Sequence, residues 1–410
     1  MNMTRKISIN FRKFLGVRIE STLRTIGIEI ICFLGRILSH FFLVNERKII
    51  FESFNGKFIC DSPLYLLISL NKKKCNLEIV IVFDSQIKTK ITAENGNKIQ
   101  WVKFGTFQYY REYFTSKYWV ANCRLPFLLF KKNNQVLFQT WHGTPLKRLG
   151  FDIEIDNHPT SSLKSIQQAY RIEGKRTDYF LSNSSYLTEK LKSAFCLKEN
   201  QILEFGLPRN DLLLGELENQ QLIQQLKNRL ELPLGKRVLL YAPTYRDVNY
   251  LNGEYFTRNL LDVENFVDTF GDEYVLMFRG HYFTSNIKSN SSFIDVSKYP
   301  NITELLLITD VLVTDYSSIM FDFSLTNRNI FLFQTDYRDY SNNIRGVYFD
   351  IRQVVPDICC DTVEELIKKI MSCDTHTSNS SFLKDEFSKD GLVNSSDYYI
   401  DNYFFKSLSK

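Results

Sequence analysis

Two hydrophobic rhythms divide this chain. In the first 43 residues large apolar side chains recur at helical spacing, at Phe11, Leu15, Ile19, Leu23, Ile26, Ile30, Phe33, Ile37 and Phe41. That period predicts a long amphipathic helix. From residue 45 onward the apolar residues gather into short runs of strand length. The runs are Lys48–Phe51, Leu77–Phe83, Ile99–Phe104, Tyr118–Ala121, Val136–Gln139, Tyr179–Leu181 and Ile202–Phe205. Helical patterns separate several of them, as over Ser162–Ile172 and Ser185–Phe195. The series restarts at Arg237–Ala242 and continues with Tyr274–Phe278, Val311–Thr314 and Ile330–Phe333. Buried runs alternating with helices predict parallel sheets with crossover helices.

A chain of 410 residues is too long for one ordinary core, so two domains are expected. The charged, Gln-rich stretch Glu216–Glu231 and the turn Pro233-Leu234-Gly235-Lys236 read as a helix and turn between the halves. The expected division is a basic amphipathic segment over 1–45, a Rossmann-like domain over 46–232 and a second over 233–375. A polar loop and terminal helix over 376–410 complete it. Two doubly wound domains of this kind would face a cleft at the carboxyl ends of their strands.

Charge sharpens the reading of the first segment. Seven basic and two acidic side chains lie within residues 1–43, an excess equal to the net charge of +5 for the whole chain. Glu29 and Arg36 interrupt the apolar run, which argues against a spanning helix of about 20 apolar residues. A helix lying in the interface of an anionic bilayer fits better. The plainer alternative is a packing helix with a basic outer face. Nucleic acid is not an expected partner, because the basic residues are interleaved with aliphatics rather than gathered on a polar strip. The eight cysteines are scattered without Cys-x-x-Cys spacing, so neither a zinc ribbon nor a redox motif is expected. Their apolar surroundings suit buried thiols. No signal peptide with a small-residue cleavage site opens the sequence.

Chemistry is concentrated at strand ends. After the run at 136–139 comes Thr140-Trp141-His142-Gly143-Thr144-Pro145-Leu146-Lys147. A histidine held at a strand end titrates near neutrality, and the following glycine permits close approach to the backbone. After the strand at 311–313, Thr314-Asp315-Tyr316-Ser317-Ser318 leads into a helix expected over Ile319–Leu325. Free N–H groups at a helix start favour an anion such as pyrophosphate, although Asp315 or Ser317 could simply cap the helix. Arg279-Gly280-His281, at the end of the neighbouring strand, adds cationic donors suited to phosphate. Lys147 and Arg246 could touch phosphate or form surface ion pairs. The acidic stretch Asp152–Asp156 next to His158 could hold a metal, but an exposed acidic loop is the commoner origin of such a run. No Asp-x-Asp pair accompanies the proposed phosphate site, so no obligatory bound metal is expected, and no cofactor is expected either.

Several of these segments carry a family resemblance. They are Glu52–Lys57, Trp141–Lys147, Gly206–Asp211, Ala242–Arg246, Arg279–His281, Thr314–Ser318 with Asp322, and Arg345–Asp350. Each is weakly specific alone, but their order over residues 50–370 resembles that of the CDP-glycerol glycerophosphotransferase family of teichoic-acid primases, polymerases and capsule enzymes. The resemblance implies a two-domain GT-B fold on the cytoplasmic face of a bacterial membrane. It implies transfer of glycerol phosphate, or a related alditol phosphate, from a CDP donor to a lipid-linked or polymer acceptor, with release of CMP. It makes His142 and His281 the catalytic residues, His142 as the general base and His281 binding or protonating the pyrophosphate. Arg279, Ser317 and Ser318 would hold phosphate oxygens, Gly280 would bind substrate, and Trp141, Gly143, Thr144, Pro145, Arg209, Pro243, Thr244 and Asp322 would line the donor site. A GT-B glycosyltransferase using a nucleotide sugar is the alternative, and a non-catalytic membrane scaffold is a third reading.

Overall fold

The computed structural model describes residues 17–84, 91–154, 162–244, 250–251, 254–255, 269–280, 293–337, 346–373, 378–388 and 394–404. The chain forms two compact units. One comprises residues 1–142, 148–209 and 394–410, and the other comprises 143–147 and 210–393.

The first unit is built on a seven-stranded sheet. Its strands are β1 (Asn45–Glu52), β2 (Glu78–Phe83), β3 (Lys98–Lys103), β4 (Ser116–Ala121), β5 (Val136–Gln139), β6 (Tyr179–Ser182) and β7 (Ile202–Glu204), ordered β3-β2-β1-β4-β5-β6-β7. Every pairing is parallel. Burial on both faces explains why the strands read as continuous apolar runs. The crossover helices start at capping side chains. Thr106 accepts the Tyr109 N–H ahead of Phe107–Thr115, Ser162 that of Ser165 ahead of Leu163–Arg176, and Ser184 that of Leu187 ahead of Ser185–Phe195. Strand order reverses between β1 and β4. In sheets of this type, ligands sit beyond the carboxyl ends at such a switch point.

The predicted amphipathic helix is present as α1 (Val17–Ser39). Among its described side chains, residues 22–39, it buries a narrow stripe: Ile28 and Ser39 are covered, and Gly35 lies against the Leu128 carbonyl. Its large apolar residues Ile26, Ile30, Phe33, Leu34 and Ile37 are exposed. Among the described residues no helix is long and apolar enough to cross a membrane. Residues 1–16 lie outside the described residues.

The second unit holds a six-stranded parallel sheet. Its strands are β8 (Arg237–Tyr241), β11 (Tyr274–Phe278), β12 (Phe293–Asp295), β13 (Val311–Thr314), β14 (Asn329–Phe333) and β15 (Cys359–Cys360), ordered β12-β11-β8-β13-β14-β15. A short antiparallel pair, β9 (Tyr250–Leu251) and β10 (Glu254–Tyr255), lies outside that sheet. The switch point falls between β8 and β13.

Two boundaries differ from expectation. The chain leaves the first unit at Arg209 rather than near 233. The helices Asp211–Glu216 and Gln220–Arg229 pack on Ile302–Ile308 of the second unit, because their apolar side chains Leu213, Ile223 and Leu226 are buried there. The terminal segment is not a polar appendage. Residues 394–404 belong to the first unit, where Tyr399, Ile400 and Phe404 are fully buried in its core. Phe404 stacks on Phe138 at 4.3 Å, and the Tyr399 hydroxyl donates to the carbonyls of Leu203 and Gly206. Among the cysteines, Cys60, Cys359 and Cys360 are buried, four are partly covered, and Cys196 is exposed.

Candidate active site

In the first unit the switch point carries an unusual turn. Directly after β1, Phe54, Asn55 and Gly56 all have positive φ, at 48°, 56° and 77°. Two of the three are not glycine, and backbone held in that region stores strain that the surroundings must stabilise. Asn122, directly after β4, accepts the Phe54 N–H through Oδ1 at 2.8 Å. Its Nδ2 donates to Asp61 Oδ2 at 3.3 Å. Asp61 also has positive φ, accepts the Ser62 N–H, and lies 3.9 Å from the Arg209 guanidinium.

His142 stands at the neighbouring strand end. Trp141, at φ 52°, turns the chain after β5 and seats its indole in the core, edge-on to Phe195 at 5.0 Å. The imidazole lies 4.3 Å from that indole and 5.6 Å from the Phe54 ring. Its Nδ1–H donates to the Asn122 carbonyl at 2.6 Å. That bond leaves Nε2 as the unprotonated nitrogen of the neutral ring. Burial holds the imidazole below its ordinary pKa, against the opposing pull of the Asn122 carbonyl and Asp61, with Arg209 and Arg124 reinforcing the shift. A neutral imidazole with one nitrogen anchored and the other bearing a lone pair can take a proton from an alcohol.

A second titratable group lies nearby in the fold. Glu52 ends β1 and is buried; its Oε2 accepts the hydroxyls of Tyr109 and Tyr113 at 2.9 and 2.6 Å. Its Oε1 has no hydrogen-bond partner. Burial pushes the carboxyl up to about 7, the two tyrosine hydroxyls pulling the other way.

In the second unit the switch point is latched by Asp315. Its carboxylate accepts the Thr244 N–H and hydroxyl from the end of β8, and the N–H of Tyr316. The Thr314 hydroxyl donates to the Ala242 carbonyl at 2.6 Å. Asp315 therefore ties the ends of β8 and β13 rather than merely capping a helix. That helix runs Ile319–Ser324, and the Ser318 hydroxyl makes no capping bond. Gly143 lies against it: a Cβ added to Gly143 would stand 2.5 Å from Ser318 Oγ. A side chain at that position would require the Ser318 hydroxyl to shift. Residues 143–147 are held in this unit by the Tyr348 N–H to Leu146 carbonyl bond and a bridge between Lys147 and Val347. Thr144 is buried, and its hydroxyl has no partner in the structure. Arg279 donates through Nη1 to the carbonyls of Val296 and Tyr299, and the Gly280 N–H donates to Ser297.

The sequence-selected residues thus fall into two groups. Trp141, His142 and Arg209 belong to the first unit. Gly143, Thr144, Pro145, Pro243, Thr244, Arg279, Gly280, Ser317, Ser318 and Asp322 belong to the second. His281, Arg246 and His158 lie outside the described residues. Of the acidic stretch, Asp152 accepts the Ser193 hydroxyl and Glu154 pairs with Arg148, so these two carboxylates serve local structure. Sequence reasoning missed Asn122 and Asp61. Their only signal was a polar residue directly after a buried strand and at a helix start.

Comparison with known proteins gives these arrangements a context. Residues 34–391 match the family described as CDP-glycerol:poly(glycerophosphate) glycerophosphotransferase. The teichoic acid poly(glycerol phosphate) polymerase of Staphylococcus epidermidis is 36% identical over 318 residues, which are 76% of this chain and 44% of that protein. The chain thus spans less than half of that relative. The polymerase of the same name from Bacillus spizizenii is 34% identical over 373 residues, 90% of this chain and 91% of its own. A solved structure of the wall teichoic acid polymerase TagF, a histidine variant soaked with CDPG, superposes with TM-score 0.83 at 31% identity. It covers 95% of this chain and 98% of that one. The fold, with its two parallel sheets, is the TagF-like GT-B type. With the family match spanning most of its length, the chain belongs to the CDP-glycerol:poly(glycerophosphate) glycerophosphotransferase family.

Proposed function

We propose that this protein transfers glycerol phosphate from CDP-glycerol to a hydroxyl of a teichoic acid acceptor, releasing CMP. The observation that carries the reading is the anchored imidazole of His142, with Nδ1 bound to the Asn122 carbonyl and Nε2 left unprotonated. In the step we propose, the acceptor hydroxyl gives its proton to His142 Nε2 while its oxygen attacks the phosphorus that bears glycerol. The bond from that phosphorus to the bridging oxygen breaks, and the electron pair leaves with CMP. We assign donor-phosphate contacts to Arg279, Gly280, His281, Ser317 and Ser318, with Trp141, Gly143, Thr144, Pro145, Arg209, Pro243, Thr244 and Asp322 lining the donor. Phosphoryl transfer of this kind needs chiefly positioning and charge stabilisation.

CMP release from CDP-glycerol and, separately, CDP-ribitol, with a lipid-linked acceptor present, tests the reading. Release from CDP-glycerol that disappears in His142→Ala is expected. Release from CDP-ribitol alone would change the alditol, and silence with both donors would reject the reaction class.

The acceptor side of the reading includes a membrane surface. A helix that leaves Ile26, Ile30, Phe33 and Ile37 exposed, preceded in sequence by Arg5, Lys6, Arg12 and Lys13, fits the interface of an anionic bilayer, which would hold the protein peripherally on the cytoplasmic face. Deletion of residues 1–43 should release the protein from anionic liposomes. Continued co-sedimentation of the truncated protein would refute the assignment.

A further inference from the structure

We propose that Asn122 is the positioning residue of this site, selecting the tautomer of His142 through its main chain and holding the strained 54–56 turn through its side chain. The inference rests on His142 being the base. Asn122 is fully buried at the switch point, between the ends of β1 and β5. Its amide is clamped on two sides, by the Phe54 N–H at Oδ1 and by Asp61 Oδ2 at Nδ2. Both partners sit in left-handed backbone, at φ 48° and 62°. Each needs a fixed hydrogen-bond partner to remain there. Between those clamps the Asn122 carbonyl has one orientation, and it points at His142 Nδ1 from 2.6 Å. With the carbonyl fixed, Nδ1 must carry the hydrogen and Nε2 the lone pair. If the carbonyl turns away, the neutral ring is free to place its hydrogen on Nε2, where it cannot accept a proton. Phe54 adds a second link, since the turn that Asn122 holds also places the Phe54 ring beside the imidazole.

The test uses the full chain with CDP-glycerol and a lipid-linked acceptor, and reads two quantities. In Asn122→Ala we expect kcat to fall ~10- to 100-fold, the usual effect of removing an orienting partner, with the KM for CDP-glycerol unmoved. Nitrogen-15 NMR of labelled histidine should show His142 passing from the Nδ1–H tautomer to a mixture. Both changes together support the inference. Parental kcat, or a lowered kcat with the tautomer unchanged, overturns it. If Asn122→Ala fails to fold, Asn122→Asp is measured in the same way. It keeps the acceptor for Phe54 but sets a carboxylate against Asp61, so both readouts should move in the same direction, and unchanged values overturn the inference. Activity surviving in His142→Ala would instead reject the base, while the tautomer readout would still judge what Asn122 does.

Discussion

At the scale of single residues, two buried groups titrate in opposite senses. Burial lowers the His142 pKa, so the neutral ring persists into mild acid. Activity that depends on Nε2 should rise with pH through a point below the ordinary 6.5 and then level off. A pH–rate profile measures that acid limb. The same shift makes folding lose stability as pH falls below 6.5, because the unfolded chain binds the proton first. Glu52 behaves in reverse. Its carboxyl is raised from 4.5 to about 7, so the folded chain keeps a proton that the unfolded chain has released. That contribution is complete below pH 4.5 and is lost as pH rises through about 7. It is worth on the order of 3 kcal/mol at ~1.4 kcal/mol per pKa unit. Denaturant titrations over this range, compared with Glu52→Gln, should show the variant gaining relative stability at alkaline pH. An equal pH slope in both proteins would mean that Glu52 is ionised in the fold.

At the scale of elements, α1 offers an internal control. Its two glycines differ in what a side chain would meet. At Gly35 a Cβ would stand 2.1 Å from the Leu128 carbonyl oxygen, whereas at Gly27 no described residue lies within 4 Å. Gly35→Ala should push the helix off its seat and cost ~1–3 kcal/mol, as overpacking does. Gly27→Ala should stabilise by ~0.5–1 kcal/mol through helix propensity. Urea denaturation of both variants checks the contrast; equal effects would mean that α1 does not pack as described. The helix itself was legible in the sequence because its apolar period is long and regular. So were the central strands, whose runs are apolar on both faces. The edge strands β12 and β15 were not, because three and two residues are too few to set a period. Among the candidate site residues, His142 stands out in sequence by its strand end and its neighbours. Asn122 could not. An asparagine after a strand is ordinary in sequence, and its role exists only once β1 and β5 flank it.

At the scale of the whole molecule, the first unit is assembled from distant parts of the chain. Residues 394–404 fill its core, and the aromatic stack of Phe404 on Phe138 lies within β5, the strand that leads to His142. The sequence hid this because Ser395, Ser396, Asp397, Asp401 and Asn402 surround the three buried side chains with polar ones. Phe404→Ala should cost ~3–5 kcal/mol, the usual range for a buried phenylalanine, measured by chemical denaturation. Tolerance of that variant without loss would show the segment to be dispensable. The placement of 394–404 also sets a timetable. On the ribosome, domains generally fold from the N-terminus as they emerge. Here the first sheet lacks part of its core until the last of these residues has been translated, while residues 210–393 of the second unit have all been made before it. His142 is thus synthesised early but packed late, once residues 394–404 have followed the whole of 210–393 out of the ribosome.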